Sequence, residues 1–179
     1  MHARVISVNK SQSHSFSKYP AEEISLLEGL GVEGDAHMGK TVKHRSRVRK
    51  DPTQPNLRQV HLIHKELFDS LKSDGFLIEP GQIGENITTE NIDLLNLPKG
   101  TQLHIGHATI EITGLRNPCV QLNTFQEGLM HKLVYKNKDG ETIRKCGVMG
   151  IVLTSGKIKP GAEINIKYPV KPFEKLERV

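Results

Sequence analysis

The chain has 179 residues, carries a net charge of +5, and contains two cysteines, eight Phe or Tyr residues and no Trp. This length favours one domain with its own hydrophobic core, and the positive charge permits an anionic partner such as a phosphorylated cofactor or a nucleic acid. Two distant cysteines argue against a disulfide framework or a structural zinc cluster, and so few aromatic side chains disfavour a surface that stacks single-stranded bases.

The beginning of the sequence does not have the pattern of a secretion signal, because residues 1–10 mix charged and apolar side chains. No stretch approaches the ~20 consecutive apolar residues of a membrane span. The sequence therefore predicts a cytoplasmic protein with reduced thiols and no membrane partner.

Short strands separated by polar segments are predicted for the first part of the chain. Residues 3–8 and 24–27 have the alternation or β-branched composition of strands, whereas the polar residues 10–23 predict a loop. The basic segment 40–51 lacks any apolar periodicity, and two interpretations stay open for it. It is either a solvated loop or an electropositive flap over an anionic ligand.

A helix is predicted over residues 61–73, where apolar side chains recur at helical spacing and Gly75 follows as a cap. His61 and His64 would then share one helix face. No third ligand lies nearby in sequence, so a surface pair is favoured over a zinc site.

The second half of the chain predicts a hairpin, a helix and further strands. The two residues Gly106 and His107 connect predicted strands at 100–105 and 108–113. A short helix is predicted from 122 to 133, and strands at 147–154 and 164–166. Many short strands, glycine corners and no alternating strand–helix rhythm indicate a mainly β fold, a partly closed barrel with helices outside.

Cys119 ends the segment that follows the strand at 108–113, directly before the second predicted helix. A helix N-terminus and the nearby cation Arg116 would favour a thiolate, which is both a nucleophile and a soft metal ligand. The alternative is a small buried apolar side chain, as most free cysteines are. For Cys146 the same two roles stay open, with packing favoured.

Five motifs, taken in their order and spacing, resemble those of the MOSC domain, the C-terminal domain of molybdenum cofactor sulfurases that also exists as small stand-alone bacterial proteins. The similarity runs from about residue 5 to residue 166. The motifs are Gly-Asp-Ala-His at 34–37, Arg-Gln-Val at 58–60, Gly-Glu-Asn-Ile-Thr-Thr at 84–89, Asn-Pro-Cys at 117–119, and residues 156–161. Many members have Arg where this chain has Ala36, which removes one candidate contact to an anion. Either the basic segment 40–50 or Arg58 and Arg116 would have to replace it.

The resemblance implies a β-barrel with flanking helices over residues 1–170, followed by a tail at 171–179. It also implies a site for the molybdenum cofactor, a pterin dithiolene that carries a phosphate, with Cys119 as the thiolate ligand of molybdenum. Seven further residues are candidates for the site: Asp35 and His37 for supplying a proton or bracing a turn, Arg58 and Arg116 for the phosphate, and Asn86, Thr88 and Asn117 for polar contacts with pterin or substrate.

The reaction that this resemblance implies is the reduction of N-hydroxylated compounds, such as hydroxylamino-purines or amidoximes. The sequence contains no Rossmann, flavin or Cys-x-x-Cys motif, so electrons are expected from a separate reductase. Pyridoxal phosphate belongs to the separate desulfurase-like domain of the sulfurases. This chain is too short to contain that domain, and no pyridoxal phosphate site is expected.

Two other functions stay open. Cys119 could carry a persulfide from a sulfur donor protein towards cofactor or metal–sulfur cluster assembly. Alternatively, a basic barrel could bind nucleic acid without catalysis. The charge permits this, but the shortage of aromatic residues and the lack of a basic helix face count against it.

Overall fold

The computed structural model describes residues 2–179 and is built mainly from β-strands, as the sequence predicts. The strands are Arg4–Lys10 (β1), Tyr19–Ala21 (β2), Ile24–Leu27 (β3), Gly31–Val32 (β4), Val60–His64 (β5), Ile87–Glu90 (β6), Gln102–Ile105 (β7), Ala108–Leu115 (β8), Val134–Lys136 (β9), Thr142–Arg144 (β10), Val148–Thr154 (β11), Gly156–Ile158 (β12) and Ile164–Lys167 (β13). The helices are Arg45–Val48 (α1), Lys65–Ser73 (α2), Gln121–Phe125 (α3) and Leu129–Leu133 (α4), with a 3-10 turn at Leu94–Asn96.

One large sheet organises the molecule, with strand order β13-β7-β8-β11-β5-β6-β1-β2. Smaller sheets contain β10-β9 and β12-β3-β4. The neighbours in the large sheet are antiparallel except β5 and β6, which run parallel and are joined through α2. A parallel pair needs a long crossover, which explains why α2 lies at this point of the chain.

The large sheet curls back so that β1 meets the region of β13. Backbone hydrogen bonds join Val5 N to Ala162 O (2.9 Å), Gly161 N to Val5 O (2.8 Å) and Ile164 N to Ala3 O (2.8 Å). Within residues 2–179 these contacts amount to one isolated bridge, between Arg4 and Glu163, and not to a ladder. The mainly β prediction is confirmed, and the sheet is not a fully closed barrel.

Two hydrophobic clusters hold the fold together. One is formed mainly by strands of the large sheet and includes Val5, Leu62 and Ile110. The other lies under α2, α3 and α4 and includes Leu129 and Cys146. The alternation predicted for β8 appears as buried and half-buried side chains along the strand, so its apolar residues enter the first cluster.

The segment predicted as one helix over residues 61–73 is instead a strand, β5, followed by the shorter helix α2. The chain is helical only from Lys65 onwards. Strand β5 lies between β11 and β6 and is buried on both faces, so its sequence lacks the alternation of a half-exposed strand. His61 and His64 therefore do not share a helix face.

The helix predicted over residues 122–133 is divided into α3 and α4, because Gly128 takes a left-handed conformation with φ of 83°. The basic segment 40–51, predicted to lack regular structure, contains the single turn of α1. No helix within residues 2–179 has the length and apolar character needed to cross a membrane.

The segment predicted as a tail runs beside β8. Leu115 N donates to Glu177 O at 2.7 Å, and Val179 N donates to Leu115 O at 3.2 Å. The side chain of Leu176 packs against the first hydrophobic cluster. Residues 176–179 therefore lie against the end of the strand that leads to Cys119.

Candidate functional site

A cavity of about 380 Å³ opens where distant parts of the chain meet. Its walls come from residues 14–18, 37–46, 58–61, 84–86 and 116–121, together with Met149. Strands β5, β6 and β8 supply three of these segments at or near their ends, so the large sheet fixes their separation.

Cys119 lies in the wall of this cavity as a free, half-buried thiol. It sits between the end of β8 and the start of α3, and its Sγ–H donates to Gln121 Oε1 at 3.3 Å. The neighbouring Val120 is 77% exposed. The sulfur is therefore accessible from the cavity and is not enclosed in either hydrophobic cluster.

Asp35 braces one wall of the cavity. Its Oδ2 accepts hydrogen bonds from Lys18 Nζ (2.6 Å), Asn86 Nδ2 (3.1 Å) and Ser11 N (3.2 Å). Its Oδ1 accepts from the backbone N of His37 (3.0 Å) and lies 3.2 Å from His37 Nδ1. Asp35 does not line the cavity itself, but it holds three side chains that do.

The charge of Asp35 is stabilised in spite of its burial. Burial alone would raise the pKa of this carboxyl, but hydrogen bonds from His37 and the charge of Lys18 outweigh that effect and hold the pKa well below its ordinary value. The side chains of Lys18 and Asp35 are only 4% and 1% exposed, so they form a buried ion pair.

Three histidine rings lie next to one another along the same wall. The ring centroids of His14 and His37 are 5.0 Å apart, and those of His37 and His44 are 4.5 Å apart. Burial, with the nearby His37 and arginines, lowers the pKa of His44 to about 2. His44 is therefore neutral near pH 7 and adds no charge to the wall.

Three arginines line the cavity, Arg45, Arg58 and Arg116, and the last two also donate hydrogen bonds within the chain. Arg58 Nε donates to Val179 O at 2.9 Å, and Arg116 Nη1 donates to Cys146 Sγ at 2.8 Å. Burial and the neighbouring arginines lower the pKa of Arg58 to about 10, which still leaves it charged at neutral pH. In the part of the chain that the structure describes, none of these three arginines forms a salt bridge.

The structure brings most of the predicted site residues together. Six of them line the cavity: His37, Arg58, Asn86, Arg116, Asn117 and Cys119. Asp35 lies directly behind the wall. Thr88 lies farther inside β6, where it is fully buried and its Oγ1 donates to Glu85 Oε1 at 3.1 Å. It does not line the cavity, so it is not placed for the contact with pterin or substrate predicted for it.

Several lining residues were not identified from the sequence. They are His14, Phe16, Lys18 and His61, whereas His44 and Arg45 belong to the basic segment 40–51, for which a flap over an anionic ligand was one of the two predictions. The first three alternate with serines in the sequence, but Ser15 also lines the cavity, so this alternation does not identify the lining residues. His61 is recognisable only once the chain there is known to be a strand.

Comparison with known proteins places the chain among proteins of similar fold. The family model described as the MOSC domain matches residues 34–165. The crystal structure of the YuaD protein from Bacillus subtilis is 21% identical, with a TM-score of 0.76, over 95% of this chain and 98% of that one. YiiM from Escherichia coli is 20% identical with a TM-score of 0.64, over 97% and 73%.

A further YiiM structure, from Geobacillus stearothermophilus, is 17% identical with a TM-score of 0.63, over 92% of this chain and 75% of that one. At these identities the likeness shows a shared fold. No curated protein sequence matches the chain.

Proposed function

The chain belongs to the MOSC domain family, and from this premise we propose that it binds the molybdenum cofactor beside Cys119 and reduces N-hydroxylated compounds there. One observation carries the proposal: an accessible thiol lies in the wall of a cavity that also contains three arginines without a salt bridge in residues 2–179. A soft sulfur donor suits molybdenum, and guanidinium groups suit a phosphate.

The donor set of the cavity fits a cofactor that brings most of its own ligands. Within residues 2–179, no group of three or more His, Cys, Asp or Glu side chains is arranged to hold a metal ion. A pterin dithiolene carries two sulfur ligands for its metal, so the protein needs to add only one, which Cys119 would provide. Arg58 and Arg116 would hold the phosphate, and Asn86 and Asn117 would make polar contacts.

The chain also contains a group suited to proton delivery. Reduction of a hydroxylamine to an amine and water consumes two electrons and two protons, and the cofactor, when bound, supplies the two-electron chemistry. Asp35 Oδ1 lies 3.2 Å from His37 Nδ1 and would orient the ring in the wall of the cavity, where it would pass a proton to the departing oxygen. The electrons would come from a separate reductase.

The proposal is tested by the metal content of the protein, purified from a host that makes the cofactor. We expect molybdenum and pterin in the wild type and a loss of most of the molybdenum in Cys119→Ser, since a hydroxyl is a poor ligand for a soft site. Val120→Ala, which changes the exposed neighbour of Cys119, should keep the metal. Wild-type protein without molybdenum, or Cys119→Ser with undiminished molybdenum, would contradict the proposal.

A second candidate function rests on the accessibility of the same thiol. Cys119 would accept the terminal sulfur of a desulfurase persulfide, which leaves the desulfurase as a thiol and Cys119 as a persulfide. Mass spectrometry after incubation with a cysteine desulfurase separates the two functions. A stable additional sulfur on Cys119, with no bound pterin, would favour sulfur transfer.

A further inference from the structure

Cys146 is the second cysteine of the chain and is completely buried, outside the lining of the cavity. Its Sγ lies 2.8 Å from Nη1 of Arg116, which does line the cavity and donates a hydrogen bond to the sulfur. Cys146 therefore touches the site through a cationic side chain and not directly.

The backbone around Cys146 is fixed from both sides. Gly147 O accepts a hydrogen bond from Arg116 N at 3.0 Å, and Cys146 O accepts one from His61 Nε2 at 2.8 Å. Gly147 has a φ of 83°, and a Cβ on it would lie 2.2 Å from Leu62 O. The position of the Cys146 sulfur is thus determined by β5 and by the residue it contacts.

A thiol at this place has a different electrostatic effect from a carboxylate. A carboxylate within hydrogen-bond distance would form an ion pair with Arg116 and cancel its charge. Burial raises the pKa of the Cys146 thiol and keeps it neutral, although the charge of Arg116 opposes this effect. Sulfur also belongs in the apolar cluster formed with Leu129, where a carboxylate would be costly.

We propose that Cys146 is a positioning residue, whose sulfur orients the guanidinium of Arg116 and leaves its charge free for an anion in the cavity. The inference rests on the proposed function only in requiring that the cavity take an anion. It gives a role in the site to a cysteine that is remote from Cys119 in sequence.

The first test is the rotation of the Arg116 guanidinium about the Nε–Cζ bond, measured by NMR on the labelled full chain. We expect slow rotation in the wild type, compared with the exposed Arg49, and faster rotation in Cys146→Ala. Cys146→Ser, which retains an acceptor, should stay close to the wild type. Wild-type Arg116 that rotates as fast as Arg49 would overturn the inference without the need for any variant.

The second test is the affinity for inorganic phosphate, measured by calorimetry on the same proteins. Loss of one orienting hydrogen bond should weaken binding by about fivefold in Cys146→Ala. Leu129→Ala is the control, because it removes a large side chain from the same cluster and should lower stability without this loss of affinity. Equal losses in the two variants, or none in Cys146→Ala, would overturn the inference.

The two readouts also separate this inference from the proposed function. If wild-type protein binds no phosphate, the anion site of the proposed function is wrong, and the rotation of Arg116 still decides whether Cys146 positions it. If phosphate binds but molybdenum does not, the cofactor assignment is wrong and the role of Cys146 remains testable by both measurements.

Discussion

Asp35 shows at the scale of a single residue how the cavity wall is held. Its carboxylate is almost entirely buried, yet it is charged and receives hydrogen bonds from four other residues. An ion pair in this position does not by itself prove a gain in stability, because both charges lose their hydration. Breaking such a pair is costly all the same, since one charge is then left buried without its partner.

We therefore expect Asp35→Asn to lower the free energy of unfolding by about 3 kcal/mol, because Lys18 would remain buried without its counter-ion. Urea denaturation monitored by circular dichroism measures the change. The control is Asp69→Asn, which breaks an exposed ion pair with Lys65 and should hardly move the transition midpoint. Similar losses in both variants would show that the burial of the Asp35 pair has no such effect.

Sequence reasoning found the cysteine of the site but not the buried lysine. Cys119 was predictable because a strand pattern, an Asn-Pro pair and a helical run mark its position locally. Lys18 lies in a stretch that has the composition of a surface loop. Its burial depends on Asp35, 17 residues further along, and no local pattern contains that contact.

At the scale of elements, the segment 11–18 is a loop held in place by its own serines. Ser11 Oγ lies 2.8 Å from Ser15 Oγ, Ser15 Oγ donates to Ser17 O at 2.7 Å, and Ser17 Oγ donates to Gln82 O at 2.6 Å. His14 lies between two of the serines and Lys18 directly follows Ser17, and both line the cavity. The serines thus replace the ladder that a regular strand would have.

The loop is also held by close approach to a glycine. A Cβ at Gly84 would lie 2.7 Å from Phe16 O, whereas one at Gly75 would meet nothing within 4 Å, although φ is 92° at both positions. Gly75→Ala therefore measures the backbone cost alone, which we expect to be about 1 kcal/mol. Gly84→Ala should cost clearly more, because the loop carrying Phe16 must move.

Denaturation gives the stability of both glycine variants, and phosphate titration gives their affinity. We expect Gly84→Ala alone to weaken phosphate binding, since it displaces a wall of the cavity. Equal stability and equal affinity in the two variants would mean that the loop adapts without consequence for the site.

The elements that the sequence predicted well are those with one exposed face. The hairpin around Gly106 and His107 was predictable from turn chemistry and alternation, and the structure confirms it with β7 and β8. Strand β5 was mistaken for part of a helix because a strand buried on both faces has no alternation to detect. Its partners, β6 and β11, lie far away in the chain. Hydrogen bonding to these strands, and not the local sequence, therefore makes this segment a strand.

At the scale of the whole molecule, buried neutral histidines make stability depend on pH. His61 is buried, and desolvation and the charge of Arg116 lower its pKa well below 6.5. The unfolded chain takes up a proton near pH 6.5 while the folded chain does not, so acid favours the unfolded state. The free energy of unfolding therefore decreases as the pH falls below about 6.5.

Between pH 6 and pH 5 we expect the free energy of unfolding to fall by about 1.4 kcal/mol per pH unit for each such histidine. His61→Gln removes one of them, and its slope should be smaller by that amount even if the variant is less stable at every pH. Urea titrations at several pH values supply the slopes. An unchanged slope in His61→Gln would show that His61 does not contribute to the pH dependence of stability.

The overall class of the fold was predictable, but the path of the large sheet was not. Short strands and glycine corners indicate a mainly β fold, because those features are local. The order β13-β7-β8-β11-β5-β6-β1-β2 depends on the register between distant strands. The incomplete contact between β1 and β13 likewise depends on how far the sheet curls, which no single segment encodes.

The cavity has walls drawn from residues 14 to 149, so no fragment of the chain contains it. A compound that fills it must select the completely folded molecule over every partly unfolded form. By mass action, such a compound would raise the melting temperature of the whole chain, and the rise would grow with the logarithm of its concentration relative to its Kd. A thermal-shift screen of pterins, phosphates and N-hydroxylated bases would thus reveal occupants of the cavity before any enzymatic assay exists.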